Sequence, residues 1–178
     1  MKLTSEVWDI MRGLDSGTYN HCHRMWLIAR GLEDHFGRKD DSYSTAAFIH
    51  DIGKFYVPVC ILDKREGLTS LEREIVELHP YFGYQLLDAA GVDERVKRLV
   101  LYHHGMEPRM LTVLPEFDSA SVEGDANMLR TLDVFDALTS DRPYRRRKSV
   151  EETYSFMINE GSFHKETLKY LRENVTNF

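Results

Sequence analysis

The 178-residue sequence predicts an all-α fold. Apolar residues recur three and four positions apart in segment after segment, the repeat of a helix with one buried face. Helix-starting and helix-stopping residues bracket those segments. No segment shows the polar–apolar alternation of a half-buried strand.

The elements follow in order. Ser5 to Arg12 reads as a short helix with Ser5 as its N-cap and Val7, Ile10 and Met11 on one face. Gly13 and the turn Asp15-Ser16-Gly17 end it. Thr18 to Phe36 is the first long helix: Met25, Ile28, Ala29, Leu32 and Phe36 share a face, and Gly37 stops it. Asp40-Asp41-Ser42 supplies capping groups for Tyr43 to Ile52. Pro58 makes 54–62 a turn with a short helical piece. Thr69 and Glu72 have the spacing of a capping box, at the head of a helix that turns Ile75, Val76 and Leu78 inward. Pro80 predicts a kink, or a break and restart, after His79; Tyr81 to Ala90 then runs to Gly91. Asp93 to His104 places Val96, Leu99 and Val100 inward before Gly105 and Pro108. Residues 105–122 are the least regular, and a loop of that length in a compact domain is a lid or a mobile segment. Glu123 to Ser140 is a strong helix on Met128, Leu129, Leu132, Phe135 and Leu138. Ser149 caps Val150 to Glu160, Gly161 ends it, and Lys165 to Val175 is the last helix. No internal repeat or linker divides the chain, so residues 1–178 are expected to form one domain.

Composition narrows the function. With 42% apolar and 29% charged residues the chain has the profile of a soluble globular protein. A net charge of −6 argues against a general nucleic-acid or membrane-surface binder. A small anionic substrate would need local positive charge from metal ions or arginines. Cys22 and Cys60 form no CxxC pair and suit reduced thiols in the cytoplasm. The N-terminus lacks a signal-peptide pattern, and no apolar run approaches the roughly 20 residues of a membrane span.

The chemistry centres on His50-Asp51-Ile52-Gly53-Lys54. Adjacent side chains on a helix diverge by about 100°. Such a pair therefore reaches two edges of one site, with the carboxylate able to bridge two ions, the imidazole capping one, and Lys54 adding a cation beside them. His21, His79, His103, His104 and Asp133 bring further nitrogen and oxygen donors. Imidazole with carboxylate suits Fe, Mn, Zn, Co or Ni rather than Ca. Seven ligands exceed the needs of one ion and suit two, with Asp51 as the bridge. Two ions about 3.5–4 Å apart can activate water and stabilise both oxygens of a phosphodiester displacement. Each residue also has an ordinary reading. His21 suits a core or surface position, His79 and the His103-His104 pair suit cations at helix C-termini, and Asp133 suits a solvent-facing carboxylate. Spacing alone leaves both open. His23, His35 and His164 are read as structural.

Five blocks in order resemble one family. Thr18-Tyr19-Asn20-His21-Cys22-His23-Arg24-Met25 is similar to a Thr-x-x-His-x-x-Arg-Val opening, and His50-Asp51 to an HD signature. Leu62-Asp63-Lys64, Leu68-Thr69-Ser70-Leu71-Glu72, His79-Pro80 and Gly83 resemble its middle section, and His103-His104 its paired histidine. Asp133-Val134-Phe135-Asp136-Ala137-Leu138-Thr139-Ser140-Asp141-Arg142-Pro143-Tyr144-Arg145 is close to its final block. Over residues 15–165 the sequence resembles the HD-GYP branch of the HD-domain metal phosphohydrolases. The resemblance implies a single HD-domain helical bundle and a di- or tri-metal centre, often of iron or manganese. It also implies hydrolysis of a cyclic dinucleotide, cyclic di-GMP foremost. Carried over, the metal ligands are His21, His50, Asp51, His79, His103, His104 and Asp133. Asp51 and Lys54 serve catalysis at a metal-bridging hydroxide, and Lys54, Arg142 and Arg145 hold substrate phosphate. Arg146, Arg147 and Lys148 are read as a solvated basic turn.

Two departures stand out. Gly105-Met106-Glu107-Pro108-Arg109-Met110-Leu111-Thr112 stands where the family has Glu and then Asp-Gly-x-Gly-Tyr-Pro, on the substrate side of the pocket rather than in the metal core. Gly17 stands where three-metal members carry Glu, which favours two divalent ions, Fe or Mn first, with Zn, Co or Ni within range. The expected function is a cytoplasmic binuclear phosphodiesterase for a small anionic nucleotide, a homodimer among its expected states, without nucleic-acid or membrane partners. The altered 105–122 loop motivates one alternative, a nucleotidase acting on another small nucleotide; a second is a non-catalytic nucleotide-binding signalling module.

Overall fold

The computed structural model describes residues 3–64, 66–105, 120–141 and 146–175, and no strand occurs among them. Helix α1 (Ser5–Gly13) starts at Thr4, not Ser5, because the Thr4 hydroxyl accepts the Val7 N–H. Asp15 caps α2 (Ser16–His35) in the same way, accepting the Thr18 N–H at 2.9 Å. Then come α3 (Ser42–Ile49) and a 3₁₀ turn (Ile52–Tyr56), followed by α4 (Val59–Leu62).

The α-helix expected to reach Ile52 thus stops short. After His50 the chain tightens, and the Lys54 N–H bonds to the Asp51 carbonyl three residues back. This tighter winding carries Gly53 under the start of another helix, a contact that local spacing does not reveal.

Helix α5 (Ser70–Glu77) opens with the full capping box, Thr69 and Glu72 each serving the other's backbone N–H. Leu78, expected inward, is 44% exposed, because the chain breaks there and restarts as α6 (His79–Ala89). Pro80 sits in the first turn of α6, where its missing N–H costs no helical hydrogen bond. Next are α7 (Glu94–Tyr102) and α8 (Ala120–Thr139). The expected loop at 105–122 falls largely on residues outside the described ones. Helix α9 (Val150–Glu160) is capped by Ser149 and closed by Gly161 in the left-handed conformation, and α10 (Lys165–Asn174) ends the described chain.

α2 and α3 pack on each other, α7 lies against α3 and α6, and α8 crosses α2 and α7. Met25, Leu32, Ala47, Ile49, Leu99, Leu129, Leu132 and Phe135 are fully buried in the shared core. No described helix is long and apolar enough to cross a membrane. The core fixes α2, α3, α6, α7 and α8 at one place, where their polar residues meet.

Candidate metal centre

The donors come mostly from helix ends. His50 follows α3, Asp51 leads into the 3₁₀ turn, His79 begins α6, and His103 and His104 follow α7. His21 lies on α2 and Asp133 within α8. All seven expected ligands converge. The ligand atoms of His21, His50 and Asp133 lie within 4.8 Å of one another, and so do those of His79, His103 and His104. Asp51 stands between the groups. Its Oδ1 is 3.1 Å from His79 Nε2 and its Oδ2 is 3.5 Å from His50 Nε2.

Hydrogen bonding at the far side of each ring fixes what the near side offers. Nδ1 of His50, His79 and His103 lies 2.9, 2.7 and 2.6 Å from the carbonyls of Ala47, Val76 and Val100. A carbonyl only accepts, so each Nδ1 carries a proton and each ring turns its Nε2 into the centre. Nε2 of His79 and Nε2 of His103 face each other at 3.3 Å. Imidazole nitrogens gathered in this way beside carboxylate oxygens fit a divalent transition-metal centre.

His21 is held differently. Its Nδ1 is 2.7 Å from Asp136, and Arg24 clamps the same carboxylate with bonds of 2.9 and 2.7 Å. Its Nε2 is 3.2 Å from Asp133 Oδ1 and 3.2 Å from His50 Nε2. Burial alone would lower the His21 pKa, but the bonds to Asp133 and Asp136 outweigh it and push it up to about 9. Elsewhere burial wins: it lowers His50, sends His103 well below its usual range, and brings His104 down to about 4. Asp51 and Asp133 lie well below the usual carboxylate range; burial opposes this, Lys54 and His50 outweigh it at Asp51, and His21 does so at Asp133.

A pH dependence follows with a definite sign. Without metal, His21 holds a proton at pH 7, whereas a ligand must offer a lone pair. Uptake of a divalent ion by the His21 group is expected to release about one proton near neutral pH, and affinity should fall as pH falls. Calorimetry in buffers of different ionisation enthalpy measures that proton, and absence of release would remove His21 from the ligand set.

Arg24 and Asp136 are site residues that sequence reasoning missed. The available signal was their position, one helical turn after His21 and Asp133 respectively and on the same faces. Replacing Asp136 with alanine frees the His21 ring and leaves the half-buried Arg24 guanidinium without its carboxylate. Metal affinity should drop about 10- to 100-fold, read by competition with a chelating dye. Cys22 also lies within 4.8 Å of donors on His50 and Asp51, but burial pushes its thiol pKa up and leaves it a neutral packing neighbour.

A cavity of about 520 Å³ opens onto His21, Asp51 and Lys54, with Thr18, Lys64 and Ser140 in its wall. The Lys54 ammonium is 2.6 Å from Asp51 Oδ2. Burial opposes its charge, and pairing with Asp51 outweighs burial and raises its pKa. Lys64 is held by Glu72 at 2.6 Å. Arg142 and Arg145, expected to hold phosphate, lie outside the described residues, as does Glu107.

Fold and site together define a helical metal-binding domain, and comparison with known proteins gives its family. The HD domain family pattern matches residues 18–141, and the chain belongs to that family. A cyclic di-GMP phosphodiesterase of Pseudomonas aeruginosa is 35% identical over 155 residues, covering 78% of this chain and 34% of that protein. The cyclic di-GMP phosphodiesterase response regulator RpfG of Xanthomonas campestris is 28% identical over 151 residues, covering 80% and 39%. A 3'3'-cGAMP-specific phosphodiesterase of Vibrio cholerae is 32% identical over 117 residues, covering 63% and 24%. The chain thus spans 24% to 39% of the length of these relatives. Among solved structures, the HD domain of the L. monocytogenes phosphodiesterase PgpH superimposes with a TM-score of 0.68 at 16% identity, covering 96% of this chain and 95% of that one. At that identity the likeness carries the fold.

Proposed function

We propose that this chain is a metal-dependent phosphodiesterase domain that hydrolyses a cyclic dinucleotide of the cyclic di-GMP type. The observation that carries the proposal is the convergence of histidine Nε2 atoms on two sides of Asp51, whose two oxygens face the two groups. His21, His50 and Asp133 would hold one ion and His79, His103 and His104 the other, with Asp51 shared. The absence of Glu at position 17 favours two ions over three, and the resemblance to the HD-GYP branch favours iron or manganese within the range that imidazole and carboxylate suit. Such ions, when bound, supply a strong nucleophile at neutral pH and Lewis acidity toward phosphoryl oxygen.

The chain's own residues do the rest. Asp51 and Asp133 supply the carboxylate oxygens of the centre, and the carbonyl-anchored histidines hold its nitrogens in place. Lys54, beside Asp51 at the cavity, stays an ammonium and stabilises the charge that grows on phosphate oxygens. The cavity is in the size range of small-molecule sites, and its wall carries Lys64 and the hydroxyls of Thr18 and Ser140 for a polar ligand. The relatives named as phosphodiesterases of cyclic di-GMP and of 3'3'-cGAMP, and the PgpH HD domain solved with cyclic-di-AMP, support this substrate class.

The test is anaerobic purification with metal analysis, followed by incubation of the Mn- and Fe-loaded protein with cyclic di-GMP, 3'3'-cGAMP and cyclic-di-AMP. Metal-dependent conversion of a cyclic dinucleotide to a linear dinucleotide or mononucleotide is the expected result. Two bound ions with every cyclic dinucleotide left intact would overturn the substrate class, and nucleoside monophosphates in the same assay would then test the nucleotidase alternative.

A further inference from the structure

On the opposite side of α2 from the metal centre lies a second cavity of about 610 Å³, between α1, α2 and α3. It shares no lining residue with the cavity beside Lys54. The repeat of α2 explains the separation. Tyr19, His23, Trp26 and Arg30 fall at intervals of four, three and four and share one face, while His21 and Arg24 occupy the other. Trp8 from α1 and Phe48 from α3 complete the walls, with ring centroids 5.1 Å apart. Tyr19 stands edge-on to Phe48 at 6.1 Å. A space of this size is no packing defect; it has the volume of a ligand site and is walled largely by aromatic rings.

We infer that this cavity binds a purine nucleotide, with the base against the rings of Trp8, Tyr19, Trp26 and Phe48 and the phosphate on Arg30. The rings offer the flat apolar surfaces on which bases stack. Arg30 is only loosely paired: its Nε lies 4.0 Å from Glu33 Oε2, while the other Glu33 oxygen accepts the Ser44 N–H at 2.8 Å. The Arg30 side chain is 55% exposed and presents its donor fork at the rim, where phosphate is matched by a guanidinium. A bound nucleotide would rest on α2 and α3, the helices that carry His21 and lead to His50 and Asp51, and so would act as an effector rather than a substrate.

The chain reports on this cavity directly, because both of its tryptophans line it. Tryptophan emission of the metal-loaded protein is titrated with 5′-GMP, 5′-AMP, guanosine and ribose 5-phosphate. A saturable change is expected with the nucleotides and none with ribose 5-phosphate, which has no base. Arg30→Ala should weaken the nucleotides about tenfold and leave guanosine unaffected, the loss of one charge-assisted contact. Lys54→Ala, in the other cavity, should leave the titration unchanged. No saturable change at millimolar nucleotide, equal curves for wild type and Arg30→Ala, or loss of the signal in Lys54→Ala would each overturn the inference. The readout needs no turnover, so its failure is separate from failure of the proposed phosphodiesterase reaction.

Discussion

Asp51→Ala should abolish phosphodiesterase activity, lowering kcat/KM by roughly a thousandfold or more, and should empty the His79 half of the metal centre and weaken the other. The size of the effect comes from position. Asp51 is almost fully buried, and its two oxygens face different donor groups, 3.1 Å from His79 Nε2 and 3.5 Å from His50 Nε2. Each group keeps three protein donors without it, but this carboxylate sets one oxygen close to a histidine of each group. Without it His79 loses the carboxylate 3.1 Å from its Nε2, and His79 and His103, whose Nε2 atoms are 3.3 Å apart, lose the oxygen donor they share. Metal content should fall from about two ions per chain towards none in the His79 group, with weak residual binding at His21, His50 and Asp133. Lys54→Ala is the informative partner. It removes a cation beside the same carboxylate and leaves every proposed ligand in place, so it should retain metal while losing about a hundredfold in kcat. Metal analysis and kinetics on the two variants separate the roles. Full metal occupancy in Asp51→Ala would remove the bridge from the mechanism.

The proposed ligands were legible because their residue types stand in five blocks whose order resembles one family; residue type and spacing alone left an ordinary reading of each open. Helix starts at Thr69 and Ser149 were legible for a similar reason, since a capping side chain acts on its own neighbours. What escaped depends on contacts between distant segments. Asp136 lies in the same run as Asp133 and reads as one more helical carboxylate. Its meaning appears only when Arg24, 112 residues away, folds over it and buries it. Likewise Trp8, Tyr19 and Trp26 read as ordinary apolar positions, and only the packing of α1 against α3 shows that they surround an open space. The early end of α3 has the same origin, because α6 dictates where Gly53 must lie.

That last contact sets the second large effect. A Cβ built on Gly53 would sit 1.9 Å from the His79 carbonyl oxygen and 2.5 Å from the Gly83 nitrogen. Both are backbone atoms of α6, so no side chain can swing aside and the helix itself must move. Gly53→Ala is therefore expected to destabilise the protein by about 3 kcal/mol or more, at the upper end for overpacking. Chemical denaturation of the metal-free protein would show it as a lower midpoint. The same displacement carries His79 away from Asp51, so the variant should also lose metal from the His79, His103 and His104 group before it loses metal from the other. Gly124→Ala gives the contrast. Gly124 lies inside α8 with nothing within 4 Å of its would-be Cβ, and alanine there should stabilise by about 0.5–1 kcal/mol through helix propensity alone. One substitution type with opposite signs at two glycines isolates backbone approach as the cause. An unchanged midpoint for Gly53→Ala would mean that α6 does not press on the 3₁₀ turn, and the placement of His79 beside Asp51 would then need another explanation.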